Sequence, residues 1–476
     1  MTSGTHTHTT LGEGSIAELD VQLRGVLITP NDAAYDEARA IWNGAHDRYP
    51  ALIVRCAGTA DVMRAIEFAQ SEGLEVSVRG GKHSIPGFST CDDGVVIDLS
   101  PMRGIQVDPL ARTVRAQPGV TWAELDHETQ AFGLALTGGL VSTTGIAGFT
   151  LGGGIGWLMR KHGLTCDNLI GADVVTADGC LVHANAHEND ELFWGLRGGG
   201  GNFGIVTAFE YQLHPVGPTI LGGAVFYPGD LAGEILRFYR DWAASAPDEL
   251  TTLVSLATAP PAPFLPEEWH GRRVVVIPAM YAGPLQDGET ALRPLRELGE
   301  PVADLLGPMP YVAMQSLLDP LWGPGEFNYF KAGWLRGLDD DTVETLVGFH
   351  RHITSPTSEI HVHQMGGAVA RVPADATAFG DRSAPFLLNI TAGTQTAEGF
   401  DDAARWAHAL HSAVGPALTG GTYVNFLSAE GHERVEAAYG ADTYQRLVAL
   451  KDQYDPANVF HLNQNIVPSA MARGGR

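Results

Sequence analysis

The sequence predicts an α+β protein. Three observations point there: helical stretches with local start and stop signals, short apolar strands that run into glycine loops, and one antiparallel hairpin. At 476 residues the chain exceeds one ordinary core, so two domains, or one composite domain with a large insert, are expected. From Thr59, TADVMRAIEFAQSEG reads as a helix with Val62, Ile66 and Ala69 on one face and a stop at Gly73. LEVSVRG then alternates Leu74, Val76 and Val78, a strand running into the loop VRGGKHSIPG, and GVVIDLS from Gly94 is a second short strand. In TWAELDHETQAFG, Thr121 and Glu124 stand at capping-box spacing ahead of an apolar stripe that Gly133 ends. ADVVTADGCLVHA turns as a hairpin at Asp178 and Gly179. NDELFWGLRGGGGNFGIVTAFEYQL reads as a short helix, a glycine bend and a strand from Gly204 to about Leu213. Past His214 the segments lengthen and glycines thin out, so a boundary is placed near residue 214.

Composition narrows the class of partner. The 58 glycines exceed the usual share of roughly 7% and cluster between Gly133 and Gly204, which suggests backbone wrapped closely around something. A formal charge of −25 repels polyanions and argues against a nucleic-acid partner. MTSGTHTHTTLGEGS has no basic start followed by an apolar run, so a polar leader carrying His6 and His8, and a cytoplasmic protein without a membrane anchor, are expected. Cys56, Cys91, Cys166 and Cys180 show no C-x-x-C spacing, and reduced thiols are the expectation.

Gly199, Gly201 and Gly204 match a dinucleotide fingerprint literally, but they leave a helix and enter a strand. A Rossmann pyrophosphate loop requires the reverse order, so that reading is rejected. Two other glycine stretches, Arg79 to Ser84 and Ser142 to Gly154, are able to form anion nests from successive backbone amides. A phosphate cradle needs no bulky imidazole, and His83 therefore asks for a second explanation. Cys166 in KHGLTCDNL reads either as an inert buried thiol or as one whose thiolate Lys161 and His162 favour.

VRGGKHSIPG, STTGIAGFTLGGGIGWLMRKHGLTCDNL, ELFWGLRGGGGNFGIVTAFEY and YDPANVFHLNQNI occur in that order. With them the chain resembles the berberine-bridge-enzyme-like branch of the vanillyl-alcohol-oxidase superfamily of flavoproteins. The resemblance implies an FAD-binding domain of the PCMH type, built of two α/β subdomains, over 46–214 after a leader and lead-in helix over 1–45. It implies a substrate domain of antiparallel sheet covered by helices over 215–420, and a segment over 421–476 that returns to the flavin.

Carried over residue by residue, the resemblance implies FAD attached twice, through the 8α-methyl to His83 and through carbon 6 to Cys166. A neutral imidazole and a thiolate are the nucleophiles such bonds require. Further implied contacts are Arg79, Gly80, Gly81, Lys82, Ser84, Gly87, Pro118, Gly119, Ser142, Thr143, Thr144, Gly148, Gly153 and Ile205, with Asn463 and Asn465 from NQNI. Tyr423 in GGTYVNF matches a tyrosine that deprotonates the substrate alcohol in several relatives. An ordinary phenol titrates near about 10, so a cation or a second phenol would have to lower it.

Two departures limit the likeness: Ile85 stands where many relatives have tyrosine, and Ala368 and Ala370 stand where some have an acidic or amide residue. His361 and His363 alternate onto one face of an expected strand as core or cavity lining, and two histidines without a third ligand imply no metal. The implied reaction is two-electron oxidation of a small organic substrate, an alcohol of a sugar or secondary metabolite, with O2 reoxidising the flavin to give H2O2. A dehydrogenase using another acceptor, and a flavin-binding protein without turnover, are the alternatives. Substrate identity and oligomeric state are left open.

Overall fold

The computed structural model describes residues 11–474, so His6 and His8 lie outside the described residues. The lead-in segment is helical over Glu13–Gln22, with Leu19 buried against the first sheet. That sheet has four strands in the order Val26–Ile28, Leu52–Arg55, Val95–Asp98 and Val76–Arg79. Its last three strands are parallel, because the helix Thr59–Ser71 provides the crossover between Leu52–Arg55 and Val76–Arg79. The helix buries Val62, Ile66 and Ala69 as the sequence pattern requires, and Gly73 exits at φ +65°.

A second, antiparallel sheet of five strands runs Ile105–Asp108, Thr113–Ala116, Ile205–Gln212, Leu169–Val175 and Leu181–Asn185. The expected hairpin is its last pair, with Gly179 at φ +78° in the turn. Thr121 accepts from the Glu124 amide while the Glu124 carboxylate accepts from the Thr121 amide, which caps the helix Trp122–Gln130. Helices His432–Tyr439 and Ala441–Tyr454 pack back onto this sheet through Val435, Ala438, Leu447 and Leu450. The C-terminal stretch thus shares a core with the N-terminal half.

The third sheet is antiparallel, has eight strands, and is formed between residues 219 and 394. Helices Ala232–Ala244, Leu285–Arg296, Asp340–Arg351 and Phe400–Ala413 cover one face. Side chains alternate across a strand, so Val225, Val254, Leu256, Val275, Ile277, Ile360, Val362, Leu388 and Ile390 enter the helix-covered core. Their neighbours in sequence face the other way, toward the glycine loops of the first two sheets.

Candidate active site

Between those loops and the uncovered sheet face lies a cavity of about 970 Å³. The glycine loops wall one half of it and the strands of the third sheet wall the other.

The loop after Val76–Arg79 owes its shape to close backbone approaches. A Cβ on Gly80 would stand 2.5 Å from the Pro118 carbonyl oxygen, and one on Gly81 would stand 2.4 Å from the Gly145 nitrogen. Lys82 adopts φ +63°, which turns the chain so that His83 reaches the wall. The His83 ring stacks on Trp42, with centroids 5.0 Å apart and planes 17° apart, and its Nε2 lies 3.3 Å from Thr143 Oγ1. Desolvation pushes the imidazole down to about 4, against a hydrogen bond to the Thr143 backbone, so it is neutral at physiological pH. A neutral ring is the form that acts as a nucleophile.

The structure brings Gly80, Gly81, Lys82, Ser84, Thr144, Gly148, Ile205, Asn463 and Tyr423 onto the same wall as His83, and Thr143 joins them through the His83 ring. Several expected contacts are placed differently. Only the backbone of Arg79 can serve the cavity, because its buried guanidinium donates to Asp98 at 2.8 Å and to the Ala38 carbonyl. Pro118 and Gly119 are buried behind the loop they support. Gly87 abuts the His46 ring, and Gly153 packs against Phe379 and Tyr423. Ser142 donates from both its amide and its hydroxyl to Asp319, at 2.7 and 2.6 Å. Asn465 lies off the wall, its amide oxygen buried.

Cys166 stands furthest from its expected place. It is fully buried in an apolar cluster with Leu164, Phe379 and Tyr423, off the cavity wall. Its amide donates to the Gly153 carbonyl at 2.8 Å, and the turn Thr165–Asn168 brings Sγ to 3.8 Å from Asp167, which Arg382 anchors at 2.6 Å. Burial, with Asp167 beside it, raises the thiol well above its ordinary range and opposes thiolate formation. Lys161 points away to the Ala282 carbonyl, and the residue on the wall of the preceding glycine loop is Val141.

Tyr423 is 1% exposed. Its hydroxyl accepts from the Gly154 amide at 2.9 Å and from Asn425 Nδ2 at 2.8 Å, which leaves its own proton free to donate. Burial outweighs these bonds and raises the phenol above its ordinary value, with no cation or second phenol among the leading causes within the described residues. Asn425, two residues on, also donates to the Phe149 carbonyl at 3.0 Å and so pins Tyr423 to the glycine loop.

The sheet half is mostly apolar. Ala224, Phe226, Leu253, Ala257, Val276 and Pro278 line it, and Trp42, Trp322, Phe330 and Phe426 close it toward the loops. Ser255, Glu359, His361, His363 and Asn389 are its polar members near that aromatic group. Among the described residues the arginine and lysine residues on the wall are Arg79, whose guanidinium is turned to Asp98, and Lys82 in the first loop. Among the described residues no three His, Cys, Asp or Glu side chains converge as a metal site, and no helix is long and apolar enough to cross a membrane.

Sequence reasoning missed Trp42, Asn425 and Glu359. Asn425 stands inside the quoted tyrosine motif and Glu359 continues the alternation of His361 and His363, so both had a signal. Trp42 had none.

The C-terminal segment completes the cradle. Asn202 donates to the Gln464 carbonyl at 3.2 Å and accepts from the Ile466 amide at 3.0 Å, and Asn463 donates to the Gly201 carbonyl at 3.2 Å. Fully buried Lys451 donates to the carbonyls of Asn202 and Phe460 and to Asp455, tying the helix Ala441–Tyr454 to the glycine bend. The residues present fit a flavin dinucleotide: a neutral imidazole stands on the wall, and beside Gly148 and Gly201 no heavy atom lies within 4 Å of a would-be Cβ. That open strip lets an extended cofactor lie against backbone.

Comparison with known proteins agrees. A family model described as FAD binding domain matches residues 50–185, and one described as berberine and berberine like matches residues 422–467. An FAD-linked oxidoreductase of Dictyostelium discoideum is 31% identical, with 95% of this chain and 97% of that relative covered. The (R)-6-hydroxynicotine oxidase of Paenarthrobacter nicotinovorans is 30% identical, with coverage of 94% and 98%. The crystal structure of 6-hydroxy-D-nicotine oxidase from Arthrobacter nicotinovorans matches with a TM-score of 0.85 at 29% identity, over 93% of this chain and 98% of that one. Chitooligosaccharide oxidase shares the fold, with a TM-score of 0.84 at 24% identity over 96% and 100% of the two chains. The two matched regions supply His83 and Asn463 to one cavity wall, and the chain belongs to the berberine-bridge-enzyme-like family of FAD-linked oxidoreductases.

Proposed function

We propose that this enzyme oxidises a compact, mostly apolar alcohol of the secondary-metabolite kind, with FAD attached covalently through His83. Bound FAD supplies a two-electron acceptor that takes a hydride from carbon and passes the electron pair to O2, giving H2O2. The chain's part is to hold the carbinol C–H against the flavin, exclude water and manage the hydroxyl proton. Trp42, stacked on His83, fixes the attachment ring. The Tyr423 hydroxyl, with two donors already on its oxygen, gives its proton to the substrate oxygen and so orients the carbinol. A proton-abstracting role for Tyr423 has no lowered phenol to support it.

The observation that carries the substrate class is the sheet face. A sugar's hydroxyls would leave water without partners along Ala224, Phe226, Leu253, Ala257, Val276 and Pro278. The aromatic wall instead rewards flat, apolar surface. Relatives are named for both 6-hydroxynicotine and chitooligosaccharide, and this wall suits the former kind of molecule. The absence of arginine or lysine from the sheet half disfavours substrates carrying a carboxylate.

The test has two stages. Acid-precipitated, washed protein should stay yellow, with flavin mass on the His83 peptide. The holoenzyme should then release peroxide under air with aryl alcohols and not with chitooligosaccharides. Colour lost to the supernatant with an unmodified His83 peptide would remove the covalent reading. Turnover of oligosaccharides alone would overturn the substrate class, and electrons passed to a dye but not to O2 would make the enzyme a dehydrogenase.

A further inference from the structure

The strand Glu359–Gln364 places a carboxylate and two imidazoles on the apolar side of the cavity, since Ile360 and Val362 turn into the opposite core. An acid there needs a reason. Glu359 Oε2 is held by two donors, His361 Nε2 at 2.6 Å and Ser255 Oγ, from the neighbouring strand, at 2.8 Å. Burial works to neutralise the carboxyl, but these bonds outweigh it and keep it below its ordinary range.

With Nε2 committed to Glu359, the other nitrogen of His361 is free. Nδ1 makes no hydrogen bond among the described residues, and it is not one of the sealed, unpartnered atoms. The ring is fixed from the sides by Trp322, at 6.1 Å and 76°, and by His363, at 5.8 Å and 84°. Two aromatic chains tie it to the reaction end of the cavity. One runs from His83 to Trp42 at 5.0 Å, Trp322 at 6.4 Å and His361. The other runs from Tyr423 to Phe426 at 5.0 Å, His363 at 5.7 Å and His361. The titratable groups facing His361 are Glu359 and His363, with Ser255 from the adjoining strand and Asn389 paired with it in register.

Resting on the reading above as an alcohol oxidase, we propose that His361 is the general base of substrate oxidation and Glu359 its positioning residue. A carboxylate on one ring nitrogen fixes the tautomer that leaves the other as an acceptor, and it stabilises the imidazolium that forms. The substrate O–H bond breaks and its proton goes to His361 Nδ1. The C–H bond breaks with its electron pair, which leaves as hydride to the oxidised flavin, and the C–O bond becomes C=O. The substrate loses two electrons and two hydrogens, and O2, reduced to H2O2, takes up both.

The first test needs no substrate. In flavin-loaded protein labelled with ¹⁵N-histidine, the signals lost in His361→Gln should show the Nε2–H tautomer with a bare Nδ1, and Glu359→Gln should shift them. A proton on Nδ1, or indifference to Glu359→Gln, would overturn the dyad. The second test is anaerobic flavin reduction by benzyl alcohol and 1-phenylethanol. His361→Gln, whose amide can still donate to Glu359, should slow it by about 100-fold or more, with the bound-flavin spectrum unchanged. His361→Ala should regain part of the rate on addition of imidazole. A rate within a few-fold of the parent, without rescue, would make His361 a structural wall residue. If neither alcohol reduces the parent enzyme, the substrate reading fails, and the nitrogen shifts still decide the dyad.

Discussion

Gly148 offers a direct probe of the cradle. It sits inside the short helix Ile146–Leu151, faces the cavity, and has no heavy atom within 4 Å of the place a Cβ would occupy. In the flavin-free chain Gly148→Ala should therefore raise stability, by about 0.5–1 kcal/mol from helix propensity. With the cofactor on that backbone, the same methyl projects into occupied space. Overpacking of this kind costs about 1–3 kcal/mol, which corresponds to roughly 5- to 150-fold weaker binding. The assay is FAD titration in a His83→Ala background, where binding is reversible, together with thermal unfolding of the flavin-free protein. Gly14→Ala, in the helix Glu13–Gln22 and equally unobstructed, is the control, with the propensity gain and no change in FAD affinity. The decisive pattern is opposite signs in the two measurements. If Gly148→Ala binds FAD as tightly as its parent, the open strip is not where the cofactor lies.

Other outcomes follow from individual contacts. His83→Ala should release all flavin on acid precipitation and Cys166→Ala none, and retention in the first variant or loss in the second, read by absorbance at the flavin band, would reverse the assignment. Tyr423→Phe removes one donated hydrogen bond, about 0.5–1.5 kcal/mol, so flavin reduction should slow by roughly 2- to 12-fold; a loss of several thousand-fold would restore the tyrosine as base. Desolvation raises buried Asp126 from 3.8 to about 7, so the native state keeps a proton that the unfolded chain loses between those values. Stability should fall as pH rises through that window, by about 4 kcal/mol at most. Asp126→Asn should remove that slope in urea melts at pH 4, 5.5 and 7. Lys451→Met leaves Asp455 buried without its cation and should cost about 3–5 kcal/mol, measured as a lower urea midpoint with flavin lost early in the transition.

What was legible in the chain was what is encoded locally. The Thr121–Glu124 cap, the hairpin at Gly179 and the helix-to-strand direction of the glycine bend each follow from a few adjacent residues, and the structure has all three. His83 was legible because an imidazole is out of place in a glycine loop. Its stacking partner was not, since Trp42 comes from a segment without periodicity and meets His83 only once the chain has folded. Cys166 shows the opposite case. A linear motif records that a residue is near the flavin loops but not which side of a four-residue turn faces them, and here Sγ turns to Asp167. Arg79 likewise carries the charge a phosphate wants, yet Asp98, its neighbour across the parallel pair, takes the guanidinium. Sequence proximity supplied candidates for the wall, and competition among buried partners decided which of them reached it.

The clasp between the glycine bend and residues 463–466 also orders events in time. Asn202 and Gly201 are synthesised some 260 positions before the groups they bind, as the separations of 262 and 264 residues record. A ribosome delivers the chain from its first residue, so the loop around His83 and the bend at Gly201 wait, incomplete, through the whole of the intervening sheet. The cofactor's seat closes only once residues 463–466 have been made, and loading should follow their synthesis. Early-terminated chains would carry His83 and yet stay colourless.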